Sequence, residues 1–174
     1  MSIVGRKAPE FTADAVVGDG EFKKISVSDY RGQCVVLFFY PADFSFICPT
    51  EITEFSRRDK EFKEANAVVL GVSTDSKYSH RAWLRSGLGP LAHPLIADFN
   101  KTIARDYDAL EPDGTAQRAT IIIDDRGTVR HASYNDDLLG RSVSEALRLV
   151  QAAQTGEQCP VEWKPGQRTL GKPA

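Results

Sequence analysis

The sequence predicts an α/β domain, a mixed β-sheet flanked by helices, and three observations predict it. Two uninterrupted apolar runs, Cys34-Val-Val-Leu-Phe-Phe-Tyr40 and Ala67-Val-Val-Leu-Gly-Val72, bracket a stretch whose apolar residues fall close to helical spacing. Runs of that kind read as strands buried on both faces, so the first half carries a strand, helix, strand unit. A third run, Thr120-Ile-Ile-Ile123, leads through Asp124-Asp-Arg-Gly127 into a second extended stretch, the pattern of an antiparallel hairpin. At 174 residues and 41% apolar content, the chain can bury one sizeable core without disulfide staples.

The elements follow in order. Residues 1–33 are mixed in pattern, with Gly18-Asp-Gly20 as the turn of an N-terminal hairpin or cap. Pro41 ends the first buried strand because it has no N–H to donate. Beyond the loop that runs through Pro49, Ile52, Phe55, Phe62 and Ala65 mark a helix. A short helix is expected over 78–86, broken by Gly87-Leu-Gly-Pro90, and another over 101–107. Ser142-x-x-Glu145 has the form of a capping box opening an amphipathic helix through Val143, Leu147 and Val150. From Thr155 onward prolines and glycines recur without periodicity, so residues 155–174 read as a tail on a domain of residues 1–154. An early βαβ unit, a hairpin and a final helix suit a thioredoxin-like fold, which does not by itself assign a function.

A formal charge of −2 offers no basic field for a phosphate backbone or an anionic lipid surface, so neither nucleic acid nor membrane is expected as a partner. The start, Met1-Ser-Ile-Val-Gly-Arg-Lys, lacks a signal-peptide core, and no run approaches the roughly 18 apolar residues of a membrane span. A cytoplasmic protein is expected. Three cysteines, Cys34, Cys48 and Cys159, form no C-x-x-C pair and lie near no histidine at metal-ligand spacing. The three histidines, His80, His93 and His131, are scattered and read as structural or solvent-facing.

Cys48 follows a buried strand and stands at the start of a helix, where free backbone N–H groups and the helix dipole favour a negative sulfur. A thiolate is the competent nucleophile. A buried cysteine that caps the core fits the same local facts, and these facts alone leave both readings open. Pro49 is open in the same way: it either loosens a reactive first turn or fills a position where its missing N–H costs nothing.

The segment Phe39-Tyr-Pro-Ala-Asp-Phe-Ser-Phe-Ile-Cys-Pro-Thr-Glu-Ile52 resembles the active-site segment of typical two-cysteine peroxiredoxins, in which Pro is followed after three residues by Thr or Ser and then, after two more, by Cys. The resemblance extends from Ala8-Pro-Glu-Phe11 to Trp163-Lys-Pro-Gly166 and includes Val72-Ser-Thr-Asp-Ser76, Ser79-His-Arg-Ala-Trp83, Arg105-Asp-Tyr107, Gly140-Arg-Ser-Val143 and Leu147-Arg-Leu-Val-Gln151. It implies that Cys48 is the peroxidatic cysteine, oxidised by a hydroperoxide to a sulfenic acid. It implies that Ser45, where Thr is commoner, holds the peroxide through its hydroxyl, although a helix N-cap would also explain a serine there. Arg118 matches the family's active-site arginine, a permanent cation with several fixed donors. Pro41 would shield the sulfur, and Glu51 matches the motif while also suiting a first-turn acid.

By the same resemblance Cys159, in Gly156-Glu-Gln-Cys-Pro-Val-Glu-Trp163, is the resolving cysteine, which forms a disulfide with Cys48 of another subunit. A homodimer is implied, with a ring of dimers, a decamer, by analogy. A dithiol protein, thioredoxin or a flavoprotein disulfide reductase, would restore the thiols, and no metal or organic cofactor is implied. Cys34 matches no catalytic position and reads as a structural thiol. The stretch Ser86-Gly-Leu-Gly89 is shortened against the family, and the chain ends at Leu170-Gly-Lys-Pro-Ala174 without a Tyr-Phe helix; both departures imply resistance to inactivation by peroxide. A general disulfide oxidoreductase is disfavoured by the absent C-x-x-C, while a holdase built from the same subunits is separated from the enzyme by Cys48→Ser, which abolishes peroxide consumption only.

Overall fold

The computed structural model describes residues 2–172. Met1, Pro173 and Ala174, which enter the expectations about the two chain ends, lie outside the described residues. Seven strands form one mixed sheet in the order β2-β1-β5-β4-β3-β6-β7. Strands β1 (Thr12–Gly18) and β2 (Glu21–Ser26) are the expected N-terminal hairpin, closed at Asp19 and Gly20. At the centre, β3 (Cys34–Phe39) runs parallel to β4 (Ala67–Ser73) and antiparallel to β6 (Arg118–Ile123). All six residues of β3 are buried, as a strand covered on both faces requires.

The alternation of β3 divides the core. Val36, Phe38 and Tyr40 join one cluster under α1 (Cys48–Arg57), α2 (Asp59–Glu64) and α5 (Val143–Thr155), with Phe55, Phe62 and Val150. Val35, Leu37 and Phe39 face the opposite cluster, with Ile103, Tyr107 and Ile121, beside the short α4 (Thr102–Asp106). The single helix expected through Ile52 and Ala65 is two, because Arg58 leaves helical geometry (φ −98°, ψ 9°).

One strand was not expected. β5 (Leu91–Ala97) pairs antiparallel with β1 and parallel with β4. Pro94 disguises it, since proline demotes a run that otherwise reads as a central strand. The structure accommodates Pro94 where the β5 register on β1 shifts, between the Val16–Leu95 and Gly18–Leu91 pairs. Helix α3 (Lys77–Trp83) passes into a wider turn over Leu84–Leu88 and stops at Gly89, whose φ of +80° favours glycine. The hairpin of β6 and β7 (Val129–Asn135) is as expected. Only half of the expected capping box forms: Ser142 Oγ accepts from the Glu145 amide at 3.1 Å, while the Glu145 carboxylate turns to Arg148. Beyond α5 the tail folds back on its own chain: Leu170 donates its amide to the Gln158 carbonyl, and Arg148 Nη1 donates to the Trp163 carbonyl at 3.0 Å.

Among the described residues no helix is long and apolar enough to cross a membrane, and no cluster of His, Cys, Asp and Glu could hold a metal ion.

Candidate active site

The loop after β3 carries the chain from the sheet to the first turn of α1, and local chemistry decides where that helix starts. Pro49 occupies the first turn, where an amide would have no helical acceptor. Thr50 and Thr53 return their hydroxyls to the Ile47 and Pro49 carbonyls, at 2.6 and 2.7 Å. Cys48 is therefore the first residue of α1, and it is only 1% exposed. Its sulfur lies at the end of the helix where unpaired amides and the dipole favour negative charge.

Sheet strand β6 brings in the cation. Arg118, its first residue, points Nη1 at Cys48 Sγ across 3.6 Å and donates through the same nitrogen to Glu51 Oε2 at 2.7 Å. Nη2 donates to the Asp137 carbonyl at 3.3 Å, whereas the buried Nε has no hydrogen-bond partner among the described residues. A second guanidinium completes the group. Arg141 reaches the Ala119 and Phe39 carbonyls, each at 2.6 Å, and its Nε lies 3.1 Å from Glu51 Oε1. The Arg141 backbone amide also donates to Glu51 Oε1, at 2.8 Å, so one buried carboxylate is shared by two buried guanidiniums. Burial opposes the charge on Arg118, yet Glu51 and Cys48 outweigh it and hold the guanidinium more basic than usual. At Arg141 burial prevails over Glu51 and draws its basicity below the ordinary value.

Of the residues singled out in the sequence, Cys48, Arg118 and Glu51 meet in this pocket. Ser45 is half-buried in the adjoining loop, where its hydroxyl donates to the Ala42 carbonyl at 2.8 Å. It is not the helix N-cap, which is Ile47. Pro41 is half-buried at the head of the same loop. Cys159 stands apart: its sulfur contacts Thr155 Oγ1 at 3.5 Å and the Ala152 carbonyl at 3.8 Å, both on its own α5. Beside it opens a cleft of about 370 Å³ lined by Arg130 and His131 of β7. Cys34 is buried in β3, and burial pushes its thiol up.

Two features escaped the sequence reading. Arg141 lies in the quoted Gly140-Arg-Ser-Val143 stretch but carried no role there; its position just before the α5 N-cap was the available signal. Asp43, within the loop, accepts from Tyr40 Oη at 2.9 Å and Ser79 Oγ at 2.7 Å and lies 2.8 Å from His80 Nδ1. This buried network ties the loop to α3, and it makes His80 structural.

The family model described as the AhpC/TSA family matches residues 4–132. The chain is 52% identical to Peroxiredoxin-2 of Mus musculus over 96% of its own length and 89% of the relative's. It is equally 52% identical to a chloroplastic 2-cysteine peroxiredoxin of Chattonella marina var. antiqua, covering 98% and 93% of the two chains. Among solved structures, reduced 2-Cys peroxiredoxin of Plasmodium vivax superposes with a TM-score of 0.93 at 39% identity, covering 97% and 93%.

Proposed function

We infer the chemistry of this pocket from one premise: the chain belongs to the AhpC/TSA family and is a peroxiredoxin, a thiol peroxidase that reduces peroxides. Cys48 is the nucleophile. Its thiolate attacks the distal oxygen of a hydroperoxide, the O–O bond breaks, and the electron pair leaves on the second oxygen, which takes a proton to become water or an alcohol. Sulfur is oxidised to the sulfenic acid. The observation that carries this assignment is the Arg118 guanidinium 3.6 Å from a buried sulfur at a helix start. A fixed cation there stabilises both the thiolate and the charge that develops on the departing oxygen. Its buried Nε has no hydrogen-bond partner among the described residues, which supports a donor kept for a peroxide oxygen. Ser45 positions the substrate by turning its hydroxyl from Ala42, and Pro41 screens the sulfur from water.

Cys159 in the tail segment 155–174 resolves the sulfenic acid. Its sulfur attacks Cys48, a disulfide forms and water leaves. The placement of Cys159 against its own α5, beside the edge strand β7, supports a reaction between two copies of the chain. The working unit is then a homodimer, further assembled as a decameric ring, cytoplasmic, and re-reduced by thioredoxin or a flavoprotein disulfide reductase. Cys48→Ser should abolish peroxide consumption. Cys159→Ser should permit one turnover and remove the disulfide-linked dimer from a non-reducing gel; multiple turnovers by that variant with the dithiol protein would overturn the resolving role. Steady-state rates with each candidate reductant and one peroxide identify the donor.

A further inference from the structure

We propose that His93 is a positioning residue of the peroxidase cycle, which with Ser56 holds the second and third turns of α1 to β5 so that only the turn carrying Cys48 opens. This rests on the reading that Cys48 pairs with Cys159. A sulfur that is 1% exposed cannot meet a sulfur from another subunit while the first turn of α1 is wound. Some of α1 has to come undone, and the structure marks where the unwinding stops.

The first turn hangs on side-chain contacts to the pocket: Cys48 to Arg118, and Glu51 to Arg118 and Arg141. From Ile52 onward the attachments change kind and go to the backbone and side chains of β5. His93 Nε2 lies 3.1 Å from the Ile52 carbonyl oxygen. One turn later Ser56 Oγ accepts from the Ala92 amide at 2.9 Å, where the register shift in β5 leaves that amide turned toward the helix. Phe55 stacks on Phe38 at 4.5 Å, and the His93 ring stands edge-on to Phe38 at 5.4 Å. His93 is 2% exposed, and burial pushes its basicity down, so the neutral ring carries one proton. Both ring nitrogens face carbonyl oxygens at 3.1 Å, Nδ1 that of Pro94 and Nε2 that of Ile52, and the tautomer with the proton on Nε2 ties β5 to a residue 41 positions away. The tie grips the first carbonyl beyond the segment that has to open.

The two chemical steps need opposite states of the turn. Peroxide reduction requires it wound around Arg118; disulfide formation requires it open. An anchor that limits opening therefore favours the first step and restrains the second. A residue that merely supports the core would, when altered, slow both.

The test uses the full chain with all three cysteines and rapid mixing with hydrogen peroxide, following peroxide consumption and disulfide formation separately. His93→Leu keeps bulk but removes the donor, and should slow peroxide reduction while speeding disulfide formation, each by roughly two- to tenfold, the range one hydrogen bond commands. His93→Gln places an amide nitrogen near the position of Nε2 and should restore both rates. Ser56→Ala tests the second tie independently and carries the experiment should the leucine variant fail to fold. Folded variants whose two rates are unchanged, or fall together, overturn the proposal. If the unaltered chain forms no Cys48–Cys159 disulfide, the underlying reading fails first, and this one with it.

Discussion

Arg118 serves Cys48 and Glu51 through the same nitrogen, Nη1, so its position is fixed by the carboxylate before any substrate arrives. Arg118→Lys keeps a positive charge but replaces a planar fork with a single flexible ammonium. The expected result is a fall of roughly a hundredfold in the rate of Cys48 with peroxide, the scale of losing one preorganised donor, measured by stopped flow. Glu51 has a different role. Glu51→Ala leaves two buried guanidiniums without a counter-charge and should destabilise the fold by about 3–5 kcal/mol in denaturant titration. At this scale the sequence was legible where the chemistry is local. Cys48 and Glu51 sit three residues apart on one helix, and there local chemistry raised a nucleophile and a first-turn acid without deciding either, whereas Arg118 stands 70 residues from Cys48 and nothing local marked it; the resemblance supplied a role for all three. Arg141 shows why resemblance is not enough: a buried guanidinium and a solvated one look alike until the carbonyls of Phe39 and Ala119 surround it.

At the scale of elements, the central sheet leaves no room for a side chain at Gly71. A Cβ on Gly71 of β4 would lie 2.7 Å from Phe38 Cζ and 2.8 Å from Leu95 Cδ2. Gly71→Ala should cost about 1–3 kcal/mol through overpacking, read as a lowered Tm. The turn between β6 and β7 depends on Asp124, which accepts from the Arg126 and Thr128 amides and from Arg130 Nε. Burial alone would push this carboxyl up, but the Thr128 amide and Arg130 prevail and hold it below the usual carboxylate range. With the folded value depressed, the stability it contributes is present above the unfolded value of about 3.9 and is lost as pH falls through the folded one. Asp124→Asn should therefore lower the Tm at pH 7, with a gap from the unaltered chain that narrows in acid. Strands β3, β4 and β6 were legible because burial on both faces leaves uninterrupted apolar runs. β5 was hidden because His93 and Pro94 interrupt its pattern, and their partners lie in α1 and at a register shift that no local rule encodes.

On the scale of the whole molecule, the surface carries apolar residues beside the pocket and along the tail. Phe46 is 94% exposed, Leu138 84% and Val161 92%. Residues 5 and 6 bond to Val129 at the start of β7, and among the described residues no strand pairs with the rest of that edge, which offers a template for another strand. Such features favour association. Sedimentation should find an assembly of at least two chains at micromolar concentration, and Phe46→Ser should weaken it without lowering the Tm of the separated chain.

Two guanidiniums sharing one carboxylate leave the pocket one positive charge in excess. A thiolate at Cys48 brings that sum to zero, whereas the thiol and the sulfenic acid do not. The site is thus electrically closed around a single state of its sulfur. Once oxidation removes the negative charge, the first turn of α1 loses the attraction of Cys48 to Arg118 and keeps Glu51 as its charged tie to the pocket, and the moment of reaction becomes the moment at which that turn is easiest to release.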